Sequence, residues 1–428
     1  MLLLLFAIST SGIAQPKVVV TNIGEQSNVT SPVKLQLIKK FQLMKRSTES
    51  IDNVFDKHVL SPKSAHFLSS KGKVYVNALE GFQTIVYSIE TWEKLKVITH
   101  TFKSTEDSLF NANTVFGYKY ANRTKDFNIF SGKPVEFTTS HNEKYLWVTY
   151  YRRSYDGNAV SPSAVAIIDT DTDKIVRVMP TGPLPKMIAT SPDNKYVAVT
   201  HWGDNTVGII DISGNDVKEF RYVKHFVVGE RLSFNFGEEK VNRDANCGYC
   251  LRGTTFSSDG KYLLVGRMGG IGAIAFFNMS DLSYQGTIIG SKNNVRHITI
   301  NKGDLFISTN KSGYVQKAPM QTLISKVEEN KGKTASFHGW EGCYVGVGAR
   351  TISVSHDGRY IFAAVNYESK IVVVDREQMK KVCHIFADSF PVGMDISKED
   401  DYLAVTAQGK SKVGGGHSFM IYSIDYLH

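Results

Sequence analysis

Cysteine is scarce in this chain, with four among 428 residues, and common signatures of enzymatic chemistry are missing too. Cys247-Gly248-Tyr249-Cys250 is followed by Leu251, whereas covalent attachment of c-type haem needs a histidine there. The pair also lacks the alternating strands and helices of a thioredoxin-like site. Neither a GxSxG turn nor an HExxH helix occurs. The sequence therefore predicts no cofactor and no familiar hydrolytic centre.

Long apolar runs are absent as well, except at the amino terminus. Met1–Ala14 is apolar and ends at Gly12-Ile13-Ala14, a suitable cleavage site. The run is shorter than the roughly 20 residues that span a bilayer. We therefore predict a signal peptide over residues 1–14 and an exported protein, periplasmic or extracellular, without a transmembrane segment.

The chain carries a formal net charge of +9 but no block of Lys and Arg residues. Its basic residues are spread along the sequence, and no helix-turn-helix pattern or zinc-finger spacing is present. The sequence therefore does not favour nucleic acid as a partner. A positive net charge does favour attraction to other anions.

One pattern of short strands recurs along most of the chain. Pro185–Ser213 begins with an apolar run, which is followed by an Asx-containing turn and a strand that starts with Tyr. A second turn and a Val/Ile run ending in Asp complete the unit. The same order is found in six further segments, Phe67–Glu90, Phe137–Asp169, Thr254–Asn278, Ile298–Ala318, Thr351–Asp375 and Met394–Asp425. Seven repeats of about 40 residues with four strands each predict an all-β fold, a seven-bladed β-propeller of four-stranded antiparallel blades.

The repeat resembles that of the YVTN-type β-propellers. Tyr196-Val197, Asn205-Thr206-Val207 and Ile209-Ile210-Asp211 carry the resemblance, with echoes in Tyr75-Val76-Asn77 and Ile371–Asp375. It covers residues 33–428 and implies the architecture. It does not fix an activity, because the family includes surface, periplasmic and enzymatic members.

Closure of the ring is predicted from two loose ends. Val33–Leu43 reads as a single strand without a meander of its own, and the last repeat stops after Phe419–Ile424 without a fourth strand. An N-terminal strand that completes the last blade would remove two exposed edges. We therefore expect one propeller domain over residues 33–428, preceded by a flexible lead-in over residues 15–32.

Insertions between the predicted strands all fall on one face of the propeller. The five are Thr101–Gly132, Arg152–Pro162, Glu230–Tyr249, Asn330–Val347 and Gln408–His417. We assign the first, third and fourth to links between blades, and the other two to links between second and third strands. Clustered insertions favour a binding face, although surface loops also tolerate insertion without a function.

Basic residues recur at the predicted mouth of the central channel on that face. Lys186, Arg252 and Arg350 each lie ten residues before the tyrosine that opens the second strand. Arg296 occupies nearly the same place in its repeat, and His66 and His297 are expected slightly deeper. Converging cations without matching acids favour a ligand with carboxylate, phosphate or sulfate groups. The alternative is that each pairs with an acid of a neighbouring blade, such as Glu136, or faces water in the channel.

Three cysteines lie in the insertions. Cys247, Cys250 and Cys343 could form a disulfide that fixes a loop, or could bind a metal together with His338 or His417. Cys383 lies in a predicted outer strand and is expected to be a buried free thiol.

Two classes of function follow. The first is an exported, non-catalytic binding or scaffold protein for an anionic small molecule or glycan, or for a protein partner on the insert face. The second, implied by the resemblance, is a lactonase-like hydrolase acting on a small cyclic ester at the channel mouth. Metal-assisted hydrolysis needs acidic or histidine ligands, whereas the aligned residues are mainly Lys and Arg, which favours binding.

Overall fold

The computed structural model describes residues 18–28, 30–44, 50–112, 126–233, 241–409 and 416–427. The predicted signal peptide over residues 1–14 lies outside these ranges. Within them, no helix has the length and apolar character needed to cross a membrane.

The structure confirms the predicted architecture, a ring of seven four-stranded antiparallel blades. Two strands precede the first complete blade, β1 (Val33–Gln42) and β2 (Val54–Phe55). Blade one contains β3 (Pro62–Leu68), β4 (Lys73–Ala78), β5 (Gln83–Ser88) and β6 (Lys94–Thr99). Blade two contains β7 (Gly132–Ser140), β8 (Tyr145–Arg153), β9 (Ala164–Asp169) and β10 (Lys174–Pro180). Blade three contains β11 (Pro185–Thr190), β12 (Tyr196–His201), β13 (Thr206–Asp211) and β14 (Arg221–Val227).

The remaining four blades follow the same plan. Blade four contains β15 (Leu251–Phe256), β16 (Tyr262–Arg267), β17 (Ala273–Asn278) and β18 (Ser283–Ile289). Blade five begins with β19 (Val295–Asn301), β20 (Asp304–Thr309) and β21 (Tyr314–Pro319). Helix α1 (Met320–Glu329) and β22 (Thr334–Ser336) follow, and then β23 (Glu341–Tyr344) completes this blade. Blade six contains β24 (Ala349–Val354), β25 (Tyr360–Val365), β26 (Lys370–Asp375) and β27 (Lys380–Phe386). Blade seven combines β28 (Pro391–Ile396), β29 (Tyr402–Ala407) and β30 (Ser418–Tyr426) with β1.

The core consists of apolar layers between neighbouring blades, because a single blade cannot bury its own faces. Among the described residues there are seven such layers, one for each blade interface. In one of them Phe306 of blade five packs with Ile361 and Val372 of blade six. The first strands of the blades contact one another around the central channel.

A short polar turn fixes where the second strand begins in three blades. In blade three the Ser191 hydroxyl donates to Asp193 Oδ1 at 2.6 Å and accepts from the Tyr196 backbone N–H at 2.9 Å. Equivalent bonds join Ser257 to Tyr262 and Ser355 to Tyr360. Asp193, Asp259 and Asp357 therefore cap turns, in agreement with the type of turn that the sequence indicates.

The ring closes as predicted. β1 pairs antiparallel with β30 from Val33 opposite Tyr426 to Gln42 opposite Ser418, so the chain's two ends share one blade. β2 then adds in parallel to the outer side of β1. The N-terminal strand thereby removes the two free edges that an incomplete blade would leave.

The described part of the predicted flexible lead-in is hydrogen-bonded to blade seven and its neighbour. The Thr21 backbone N–H and hydroxyl both donate to Asp388 Oδ1 at 2.8 Å. Lys40, which is fully buried, donates to Thr21 O at 2.8 Å and lies 2.9 Å from Asp388 Oδ2. Residues 18–28 of the predicted lead-in are therefore hydrogen-bonded to the propeller, and its buried polar groups bond to one another.

Asn330–Val347 differs from the predicted link between two blades. Helix α1 packs against β18 and β21, β22 adds in parallel to β18 of blade four, and β23 returns to form the outer strand of blade five. The predicted insertion therefore contains the missing fourth strand of a blade. The detour buries Met320, Leu323 and Val327 of the helix between two blades.

Candidate functional site

A β-bulge near the start of each first strand directs side chains towards the channel. In all seven blades the pairing between the first and second strands shifts register at this place. A bulge leaves one residue unpaired and turns the strand, and bulges often re-aim a side chain at the rim of a barrel. In six blades a charged residue that lines a cavity of the channel lies within the shift, namely Lys63, Glu136, Lys186, Arg252, Arg296 and Arg350.

The five cations of this set line a single cavity of about 400 Å³ at one mouth of the channel. All four basic residues predicted from the sequence are among them. Lys63 is the fifth. Counting ten residues back from the tyrosine of the second strand does not find it, because Tyr75 is the third residue of β4 and not the first. Counting from Lys73, the first residue of β4, places Lys63 at the common distance of ten residues.

One carboxylate enters the cation cluster directly. The Glu136 carboxylate accepts from Arg252 Nη2 at 3.0 Å, and both side chains are largely shielded from solvent. The alternative reading, in which basic residues pair with acids of other blades, therefore holds for Arg252.

A second carboxylate comes from an insertion. Asp244 lies 4.0 Å from Lys186 Nζ and 3.3 Å from Arg152 Nη1, and it accepts a hydrogen bond from the Tyr151 hydroxyl. The Lys186 ammonium also lies 3.7 Å from the Tyr151 ring centroid and 5.0 Å from that of Trp202. Aromatic faces stabilise a cation at this range, so Lys186 is held by two rings and one acid.

The other three cations have no carboxylate partner within ion-pair distance in the described ranges. Arg296 Nη1 contacts Met268 Sδ at 3.5 Å, and the Arg350 guanidinium lies 5.6 Å from the Phe390 ring centroid. Nε is buried without a hydrogen bond in both arginines. Lys63 is buried and lines the same cavity. Buried like charges of this kind repel one another unless an anion separates them.

The pKa values of these groups reflect that repulsion. Burial, followed by the charges of the three arginines, lowers the pKa of Lys63 and of Lys186 well below the usual lysine range. Burial and the charge of Arg252 lower the pKa of Arg350 to about 9. The pKa of Arg296 is likewise well below its ordinary value, because of burial and the two neighbouring arginines. An anion that entered the cavity would stabilise the charged forms of these side chains and so raise their pKa values again.

The two predicted histidines lie in a separate, deeper cavity of about 290 Å³. His66 Nδ1 lies 3.1 Å from Asp395 Oδ2, and although burial opposes protonation, the bond and charge of Asp395 raise the pKa of His66. Burial and the charges of Arg252 and Arg296 lower the pKa of His297 to about 4. Glu136 lines this cavity as well as bonding to Arg252, so it connects the two levels of the channel.

Three of the five insertions contribute to the upper cavity. Arg152, Asp244 and Gln408 come from different insertions and all line it. One described residue of each of the predicted insertions Arg152–Pro162, Glu230–Tyr249 and Gln408–His417 therefore lies at the same mouth of the channel.

The cysteines separate into a pair and two single thiols. Cys247 and Cys250 form a disulfide, whereas Cys343 in β23 and Cys383 in β27 are buried and free. The disulfide prediction is met by the first pair alone. Among the described residues, no three His, Cys, Asp or Glu side chains lie close enough to share a metal ion, so the metal site considered for Cys247, Cys250 and Cys343 does not assemble.

Fold and site together define a seven-bladed β-propeller with a cation-lined cavity at one mouth of its channel. No family model matches the chain, so the resemblance to the YVTN repeat is not confirmed. No curated protein matches it either.

Solved structures do match the chain. Hydrazine synthase of Kuenenia stuttgartiensis is 12% identical, with a TM-score of 0.55, and the match covers 81% of this chain and 93% of that one. A chain of a mitotic checkpoint complex is 10% identical, with a TM-score of 0.57 and coverage of 86% and 90%. The β-propeller domain of Cps50 (Swd1) from Myceliophteria thermophila is 11% identical, with a TM-score of 0.57 and coverage of 85% and 96%. At these identities the likeness concerns the fold alone.

Proposed function

We propose that this protein is an exported, non-catalytic binding protein whose upper cavity holds a small anionic ligand. The observation that carries the proposal is a set of three cations, the buried Lys63 and Arg350 and the partly buried Arg296, without a carboxylate partner in the described ranges. Guanidinium groups bind carboxylate, phosphate and sulfate through paired hydrogen bonds. A cavity of about 400 Å³ suits a molecule of the size of a sugar acid or a small phosphate ester.

The charge balance of the cavity supports the same ligand class. Six cations line the cavity, the five from the bulges and Arg152, whereas its carboxylates are Glu80 and Asp244, with Glu136 bonded to Arg252. An anion therefore improves the electrostatic balance. Low-dielectric walls strengthen the field inside such a cleft. The rings of Tyr151 and Trp202 offer apolar surface beside the charges.

A thermal-shift screen of sugar acids, phosphates and sulfated glycans tests the proposal. We expect at least one anion to stabilise the wild type, by about 2.7 kcal/mol at a hundredfold excess over its dissociation constant. The double variant Arg252→Gln/Arg350→Gln should lose most of this gain. Lys224→Gln/Lys261→Gln removes the same two charges from exposed positions and should keep it. Equal responses of the two double variants would show that net charge, and not the cavity, attracts the anion.

A protein partner on the insert face is the second candidate. Large apolar side chains are exposed on loops around the mouth, including Ile271 and Tyr367. A partner that inserted an acidic side chain into the cavity would use the same cations. Peptides rich in Asp and Glu should then compete with the small anion, and neutral peptides of equal length should not. Equal competition by both peptides would contradict this candidate.

A further inference from the structure

Lys63 differs from the other cavity lysine in what surrounds its amine. Lys186 has the Asp244 carboxylate at 4.0 Å and two aromatic rings that stabilise its ammonium form. In the described ranges Lys63 has no carboxylate within ion-pair distance. Burial and the charges of Arg350, Arg252 and Arg296 lower its pKa, against a smaller opposite effect of the Glu136 charge. It is the unpaired residue of its bulge, so its side chain is aimed into the cavity by the backbone.

The backbone at Lys63 is tightly packed in the channel wall. A side chain at Gly393 of β28 would approach Lys63 O to 2.3 Å, so the two first strands meet as closely as glycine allows. The residue itself is 9% exposed. Lys63 thus lines the cavity together with Arg252, Arg296 and Arg350 and is largely shielded from solvent.

A buried amine next to other cations favours its neutral form, which is the nucleophilic form. The lowered pKa of Lys63 agrees with this surrounding. The guanidinium groups present paired N–H donors that are suited to hold a carboxylate. The cavity thus combines a nucleophile with anchors for an acid, which is the combination that recognises a carbonyl compound bearing a carboxylate.

We propose that Lys63 captures a small 2-oxo acid as an imine, with the acid's carboxylate held by Arg296 and Arg350. This rests on the proposed function, because the same arginines provide the anion site. The Lys63 Nζ lone pair forms a bond to the carbonyl carbon while the carbon–oxygen π bond breaks, and a proton passes from nitrogen to oxygen. Loss of that oxygen as water, with the remaining amine proton, gives the carbon–nitrogen double bond. Amine and ketone become imine and water, with no net oxidation or reduction, and hydrolysis releases the acid again.

Borohydride trapping tests this capture on the full-length protein. Wild type is incubated with pyruvate or 2-oxoglutarate, reduced with borohydride, and analysed by intact mass and peptide mapping. We expect one adduct per chain, at Lys63, with at least about tenfold higher occupancy than at exposed Lys261, since each unit of pKa lowering raises the neutral amine fraction about tenfold. Excess inorganic phosphate should suppress the adduct. Lys63→Arg should abolish it, and Lys261→Arg should not.

The mapping in wild type decides the question even if Lys63→Arg fails to fold. Adducts spread over exposed lysines without preference for Lys63 would overturn the imine. A parallel thermal shift with phosphate, without borohydride, separates this proposal from the previous one. Stabilisation by phosphate without a Lys63 adduct overturns the imine and supports the anion site. An adduct at Lys63 without stabilisation by phosphate or 2-oxoglutarate overturns the anchoring by the arginines, and the absence of both effects overturns both proposals.

Discussion

Arg252 of blade four and Glu136 of blade two meet across the channel, with 3.0 Å between Nη2 and Oε1. Both side chains are shielded from water, so the carboxylate is an internal counter-ion of the basic cluster. It pairs directly with one of the cations and Asp244 pairs with Lys186, so that Lys63, Arg296 and Arg350 are left to an outside anion. The pair therefore sets both the stability of the empty cavity and its affinity for a ligand.

The first prediction concerns this pair. Glu136→Gln should destabilise the unliganded protein by roughly 3 kcal/mol, because it leaves Arg252 buried without its partner. The same change should increase stabilisation by phosphate, since the anion then meets one more free guanidinium. Urea unfolding with and without phosphate measures both effects.

Glu80→Gln is the matched control for the Glu136 variant. Glu80 lines the same cavity but pairs with Lys133 at 2.6 Å in a partly exposed position. Its loss should cost less than about 1 kcal/mol. A similar cost for both variants, or weaker phosphate stabilisation in Glu136→Gln, would contradict the role given to the Arg252–Glu136 pair.

The second prediction concerns closure of the ring. Asp388→Asn should destabilise the protein by about 3–5 kcal/mol, because it breaks a buried ion pair in which Lys40 Nζ lies 2.9 Å from Asp388 Oδ2. Asp171→Asn, which removes the partner of Lys71 at an exposed position, should cost at most about 1 kcal/mol. Chemical unfolding compares the two. Equal stabilities would mean that the N-terminal segment is not fixed by this ion pair.

The third prediction concerns the thiols. In protein made in an oxidising compartment, we expect no rapidly labelled thiol in the native state and two after unfolding without reductant. Burial raises the pKa of both Cys343 and Cys383, so the reactive thiolate is scarce as well as inaccessible. Cys250→Ser should raise the count in the unfolded state to three. Four labelled thiols in unreduced wild type would contradict the Cys247–Cys250 disulfide.

The fourth prediction concerns acid stability. Burial lowers the pKa of His100 to about 3, and its ring is hydrogen-bonded to Thr84 and Tyr150. The unfolded chain binds a proton at this histidine near pH 6.5 and the folded chain does not, so stability is present above that pH and falls as the pH decreases. From pH 7 to pH 5 this residue should cost about 2 kcal/mol. His100→Gln should show a shallower decrease by that amount, and an unchanged slope would contradict the assignment.

Much of the fold follows from the sequence because its signals are local and repeated. A Ser–Asp turn before a Tyr-led strand recurs with nearly constant spacing, and hydrogen bonds such as Ser191 to Tyr196 fix that spacing in the structure. Closure is also predictable, since Val33–Leu43 has strand character and the last repeat lacks a strand. Both the turns and the strand character of the two ends can be recognised from short stretches of the sequence.

The features that the sequence does not predict depend on contacts between distant segments of the chain. The detour through α1 leads the chain to blade four before it completes blade five, and no repeat pattern describes such an exchange. A helical signal was nevertheless present, in the spacing of Met320, Leu323 and Val327. Lys63 is displaced by two residues relative to Tyr75, so only the strand start reveals its place in the ring. Asp244 reaches the cavity from an insertion, which repeats cannot predict.

The most direct test of the anion site is anomalous diffraction from crystals of the wild-type protein soaked in selenate. Selenate carries the charge and tetrahedral shape of sulfate, and its selenium atom marks its position. We predict a peak inside the upper cavity, within hydrogen-bond distance of the Arg296 and Arg350 guanidinium groups and beside Lys63. Peaks confined to exposed lysines and arginines, with an empty cavity, would contradict the account.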